Sequence, residues 1–212
     1  MVARRGAIRE RTRTINQARA LVLTGPDDLR TRFARHTTAA LVAGIASLRP
    51  RPGDVPGYAT RVAVRELGRR AEFLDGQLER LDELIAPLVT ARAPGLLALY
   101  GIGPHTAALL LIAAGDHPGR LRSEAAWAHL CAAAPIPASS GKVTRHRLNP
   151  GGDRQANHAL WRIVFTRLGS HPATRAYAER RTAEGKSKAE IIRCLKRYVA
   201  REVYPHLRTT AG

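Results

Sequence analysis

Val64, Leu67, Ala71, Leu74, Leu78, Leu81, Ile85 and Leu88 follow one another at intervals of 3, 4, 3, 4, 3, 4 and 3 residues. Apolar residues at that alternation lie along one stripe of an α-helix, so the middle of the chain is expected to be one long helix with a partner along its stripe. Two apolar positions per heptad make a narrower face than a globular core usually requires. Two partners fit it: other helices of the same chain in an antiparallel bundle, or the same helix of a second copy. A homo-oligomer joined through residues 64–88 is the sharper of the two expectations.

Elsewhere helix formers prevail over β-branched runs, and 44% of the 212 residues are hydrophobic. The expected fold is all-α, with a basic helical segment over residues 1–56, a coiled-coil-like helix over 57–92 and a helical domain over 93–212. No apolar run approaches the ~18 residues of a membrane span, and Met1-Val-Ala-Arg-Arg5 has no signal-peptide core behind it, which points to the cytoplasm and away from membranes. Cys131 and Cys194 lack metal-ligand spacing and are expected to be small buried side chains rather than a disulfide.

The formal charge of +18 is unevenly spread. Lys and Arg outnumber Asp and Glu by 9 to 3 in residues 1–36, by 10 to 9 in 37–140 and by 16 to 5 in 141–212. A face that is merely solvated mixes signs, so the excess in the last third points to nucleic acid as partner.

Within the last domain, Leu96 to Tyr100 read as a short apolar helix stopped by Gly101, and a second run from Thr106 to Ala114 restarts after Gly103-Pro104. In so tight a turn Ile102 is expected to plug inward, with Gly101 and Gly103 leaving backbone N–H groups open to a phosphate, as in a helix-hairpin-helix. A plain packing corner fits the short pattern equally.

Further expectations concern the remaining helices. A basic helix over residues 3–22 should bury Ile8, Ile15, Ala18 and Leu21, and a second, capped by Asp27 or Asp28, should carry Leu29, Phe33, Leu41, Ile45 and Leu48. Ser123 should cap a helix through Ala133 with Trp127 in the core. A helix from Gln155 should bury Leu160, Trp161, Ile163, Val164 and Leu168 and stop at Gly169-Ser-His-Pro172. After a helix from Ala173 to about Thr182, Ser187 and Glu190 form a capping box for the last one, which should bury Ile191, Cys194, Leu195 and Val199. The corner holding Arg180, Arg181, Lys186 and Lys188 reads as a phosphate contact or an ordinary exposed basic turn.

Residues 135–154 have little helical pattern, and so long a loop in a compact domain is usually functional or disordered. Ser139-Ser140-Gly141 stands there among Lys142, Arg145, His146, Arg147 and Arg154. A serine hydroxyl attacking a phosphodiester would find cations for the charge of the pentacoordinate phosphorus. A Ser-Ser-Gly turn in a phosphate-tracking loop is the simpler reading, since His146 is the one evident base.

Taken in order, Pro94-Gly95, Gly101-Ile-Gly-Pro104 with Thr106-Ala107, Ala132-Ala-Ala-Pro135, Ser140-Gly141-Lys142, Gly152-Asp153-Arg154 with Asn157 and Leu160, and the basic tail around Gly185-Lys186 resemble the C-terminal domain of insertion sequence 110 (116/902) family transposases. The resemblance implies a serine-dependent, RNA-guided DNA recombinase with Ser140 as nucleophile and Ser139 as its neighbour in question. It implies DNA contacts by Gly101, Gly103, Lys142, Arg145, Arg147, Arg154, Lys186 and Lys188, a guide RNA as further partner, and no metal ligand in this chain. Arg9 to Asn16 resemble the segment following the family's RNase-H-like domain, and the heptads resemble its coiled-coil connector. Asp27, Asp28 and Asp54 are too isolated to replace that domain's acidic cluster. Mg²⁺ is therefore expected only with the RNase-H-like part, without which the chain should be weak or inactive, a truncated or separately encoded half. A non-catalytic nucleic-acid-binding helix-hairpin-helix module is the alternative.

Overall fold

A computed structural model describes residues 1–53, 55–115, 121–139 and 146–208. They form ten helices and one small sheet. In order these are α1 Val2–Thr24, α2 Asp27–Phe33, α3 Thr38–Ala46, α4 Val55–Arg92, α5 Pro94–Leu97, α6 Pro104–Ala114, α7 Glu124–Leu130, β1 Ile136–Pro137, β2 His146–Arg147, α8 Arg154–Ser170, α9 Pro172–Ala183 and α10 Lys188–Arg208. The fold is all-α, as the residue pattern implies. Two compact units, Met1–Glu83 and Leu84–Gly212, divide inside α4. No described helix is long and apolar enough to cross a membrane.

The first unit is built on the start of the heptad stripe. Val64 is buried with Ala18 and Val22 of α1, Leu29 and Phe33 of α2, and Leu41 and Ile45 of α3, with Leu67 packed against them; Ala71 joins Ile15 and Val42. Gly68 permits the approach of α4 to α3, because a Cβ there would meet the Ala46 nitrogen at 2.6 Å. From Val64 to Leu74 the stripe is thus covered within the chain. Towards its end Leu88 is 70% exposed, beside exposed Leu84.

Helices α1 and α4 run antiparallel, as their ion pairs record: Arg4 Nε donates to Asp82 at 2.5 Å, Arg11 pairs with Asp75, and Arg70 with Glu10 at 2.9 Å. Part of the N-terminal basic excess is therefore neutralised inside the fold. The single helix expected after Asp27 is two, because the chain turns at residues 34–37 and Thr37 caps α3 by accepting from the Ala40 N–H at 3.3 Å. Pro26, not Asp27 or Asp28, precedes α2, and both carboxylates sit in its first turn, where they complement the helix dipole. Ile8 faces solvent; Ala7 and Thr14 take the expected inward places.

In the second unit α8 packs against α6, α9 and α10, and α10 also packs against α5 and α7. Ser123 caps α7 by accepting from the Ala126 N–H at 3.1 Å, and Trp127 is wholly buried. Gly185, at φ 82°, closes the turn after α9. Ser187 and Glu190 then close the capping box: the Ser187 N–H donates to the Glu190 carboxylate at 2.9 Å, and the Glu190 N–H donates to the Ser187 hydroxyl at 3.4 Å. Both cysteines are free thiols, Cys131 buried and Cys194 half-buried.

Candidate nucleic-acid interface

The segment that resists a helical reading begins as a β-hairpin. Ile136 pairs with Arg147 and Pro137 with His146, antiparallel, so Pro137 and His146 stand side by side. Ser140, Lys142 and Arg145 lie outside the described residues. What is described is how the root of the hairpin is held.

Three elements meet there. Asp153 caps α8, its carboxylate accepting from the N–H groups of Gln155 at 2.7 Å and Ala156 at 2.8 Å, while its own N–H donates to the Leu130 carbonyl at 2.6 Å. Asn157, one turn into α8, donates from Nδ2 to the carbonyls of Cys131 at 2.8 Å and Ala132 at 3.2 Å. Its Oδ1 accepts from Lys196 Nζ of α10 at 3.1 Å. Asn149 adds a bond from its Nδ2 to the His129 carbonyl at 2.9 Å. Ala132 is held at φ 51°, a left-handed conformation that costs an alanine roughly 1 kcal/mol. The backbone at Gly152 passes so close that a Cβ would stand 2.5 Å from the Ala132 nitrogen. Two motifs twenty residues apart in sequence, Ala132 to Pro135 and Gly152 to Asn157, are one structural joint.

Beside this joint α8 and α10 enclose an open cleft of about 560 Å³. Arg154, Arg193 and Lys196 line it with Ala132, Asn149, His158 and Trp161, and among the described residues no carboxylate does. Arg154 opens α8 with its guanidinium at the cleft, while the helix N-terminus itself is satisfied by the Asp153 carboxylate. Burial, then the charge of Arg193, lowers the Lys196 pKa below the ordinary lysine value. The same cleft charges that repel one another attract a phosphodiester backbone.

The other expected contacts divide. At the α5–α6 corner Ile102 is buried, as a plug should be. The first helix is a single turn, Pro94–Leu97, and the second starts at Pro104. Gly101 takes φ 77°, and a Cβ there would touch Thr166, Arg167 and Ile163 of α8 at 3.5–3.6 Å, so this glycine packs against α8. Gly103 has nothing within 4 Å of an added Cβ and precedes α6 with no side-chain cap. Arg147 is exposed on β2 and Arg154 exposed at the cleft; Lys186 and Lys188 flank Ser187 at the start of α10.

Two residues escaped the sequence reading. Arg167, 7% exposed, donates from Nε to the Tyr100 carbonyl at 2.9 Å and pairs twice with Glu202, at 2.6 and 3.2 Å, which locks the hairpin turn onto α8 and α10. Trp161, expected in the core, is 39% exposed and lines the cleft. The buried stripe of α8 runs through Ala156, Ala159, Leu160, Ile163, Val164 and Arg167, and position 161 lies about 100° round the helix from 160.

The described residues do not fit a divalent ion. No group of three or more His, Cys, Asp or Glu lies together among them, and Asp27 and Asp28 are paired with Arg30 and Arg61. Asp54 lies outside the described residues.

Comparison with known proteins adds the family. Residues 94–179 match the Transposase IS116/IS110/IS902 family, a span holding α5 to α8, the hairpin and the first part of α9. The chain is 31% identical over 147 residues to the insertion element IS110 uncharacterized 43.6 kDa protein of Streptomyces coelicolor, covering 68% of this chain and 36% of that one. It is 25% identical over 209 residues to the insertion element IS900 uncharacterized 42 kDa protein of Mycobacterium paratuberculosis, covering 89% of this chain and 52% of that one. The match therefore spans about half or less of either relative's length. On its matched span and these relatives, the chain belongs to the IS116/IS110/IS902 family of transposases.

Proposed function

We propose that this chain handles DNA during transposition, with the Ser140 hydroxyl as nucleophile and the cleft of α8 and α10 carrying strand phosphates. The observation that supports this most directly is the joint through Gly152, Asp153 and Asn157, which ties both ends of residues 138–145 to one edge of a cation-lined cleft. Covalent catalysis depends on holding nucleophile and phosphorus within a few tenths of an ångström, and the joint fixes the described strands on either side of Ser140. In the step itself the serine hydroxyl gives up its proton as its oxygen forms a bond to phosphorus, the bond to the leaving deoxyribose oxygen breaks, and that oxygen takes up a proton in exchange. The reverse transfer rejoins strands. Arg154, Arg193 and Lys196 would offset the charge at phosphorus. Mg²⁺ would enter with the carboxylates of an RNase-H-like domain.

A second reading, a non-catalytic module that grips nucleic acid at the helical hairpin, draws on one observation: Gly103 opens α6 towards free space. A guide RNA would use the same phosphate chemistry, and a second copy of the chain would cover the exposed end of the stripe at Leu88 and its neighbour Leu84.

The test mixes purified chain with a nicked or branched duplex and Mg²⁺, with and without an added RNase-H-like half, and resolves denatured products on a gel. A protein–DNA adduct lost in Ser140→Ala and kept in Ser139→Ala is the expected result. An adduct that survives Ser140→Ala refutes the serine step. No adduct, together with binding that weakens steeply with salt, selects the module, and a flat salt response removes phosphate contact altogether.

A further inference from the structure

Along α8, beside the cleft, His158, Trp161 and Phe165 form a continuous stack. The rings of His158 and Trp161 lie 6.0 Å apart and 21° from parallel, and those of Trp161 and Phe165 lie 5.1 Å apart and 20° from parallel. Trp161 is 39% and Phe165 58% exposed. Large aromatic side chains are ordinarily drawn inward, and Trp161 and Phe165, with exposed His158 beside them, keep part of their rings in solvent instead. Arg154 lies one turn before His158 on the same helix, and Arg193 and Lys196 face the stack across the cleft.

We propose that this ladder is a stacking platform for unpaired nucleobases, with the adjoining strand's phosphates on Arg154, Arg193 and Lys196. The proposal rests on the nucleic-acid reading of the cleft and adds that the strand there is single. In a duplex both faces of each base are covered by its neighbours, so a side-chain π-face gains nothing from it; an unstacked base offers a free face of matching size. Charge argues against a second copy as occupant, because the cleft carries cations without a lining carboxylate among the described residues and would meet the same sign. Single-stranded DNA and single-stranded RNA share the chemistry of free bases on a phosphate chain.

The experiment measures binding of the full chain to a fluorescent single-stranded DNA, the same sequence as RNA, and the blunt duplex. Trp161→Ala is expected to weaken single-strand binding about tenfold, with the duplex little changed and the salt dependence kept, since no charge is removed. Trp161→Phe should retain most of the affinity yet abolish quenching of tryptophan emission by the oligonucleotide, because the remaining Trp127 is buried. Arg193→Ala should weaken all ligands and shallow the salt slope. Equal losses for single strand and duplex in Trp161→Ala, or none in either, overturn the platform while leaving the phosphate cleft standing. A wild-type chain that binds no oligonucleotide at low salt overturns both. The DNA and RNA arms tell which strand is preferred.

Discussion

Gly152 is where the candidate site is most sensitive to a single atom. A methyl group there would press on the Ala132 nitrogen at 2.5 Å and the Leu130 carbonyl oxygen at 2.8 Å, both backbone and neither able to turn aside. Gly152→Ala is expected to cost about 1–3 kcal/mol in urea denaturation, the scale of overpacking. Gly151→Ala, whose nearest neighbour would be Asn149 Oδ1 at 3.7 Å, should stay within about 0.5 kcal/mol. Equal effects would mean that the joint yields. Sequence showed which residues matter here but not their relation, since a close approach of backbones leaves no trace beyond a glycine. Trp161 was legible in principle: the alanines at 156 and 159 belong to the inward stripe, and counting them shifts it off the tryptophan. Arg167 was not, because its partner Glu202 lies on another helix and no local pattern links them.

Among the elements, the capping boxes, proline starts and glycine stops of the second unit follow from side chains within a few residues of each other, which is why they could be read. The break between α2 and α3 had a comparable signal in Thr37, overlooked because the apolar spacing runs through it. The heptad stripe was read correctly as a helix, yet spacing is the same whether a neighbour comes from the same chain or another, and α1 to α3 proved to cover its first half. Glu190 gives α10 a pH dependence of known sign. Its hydrogen bonds from the Ser187 hydroxyl and N–H hold its folded pKa below the ordinary carboxylate value. The stabilisation is therefore complete above the unfolded-state value and is lost as pH falls through the lowered folded one. Urea midpoints of Glu190→Ala should converge with those of the wild type on acidification; a constant gap down to full protonation would show the box contributing through something other than charge.

At the scale of the molecule, the two units have separate cores, and both tryptophans, Trp127 and Trp161, lie in the second. Tryptophan emission thus follows one unit, and far-ultraviolet dichroism both. Ile45→Ala, a truncation at a site with no exposure in the first core, should cost about 2–5 kcal/mol and lower the dichroism midpoint of part of the signal, leaving the emission midpoint in place. Coincident shifts would mean that the units unfold as one. The joint at the hairpin root has its own consequence at this scale. Asn157, Asp153 and Gly152 clamp residues 130–132 to the start of α8, so the chain leaving α7 and the chain entering α8 are pinned to each other behind the strand pair. Whatever displaces one of these two chain ends carries the other with it, and the two strands can shift only as a pair.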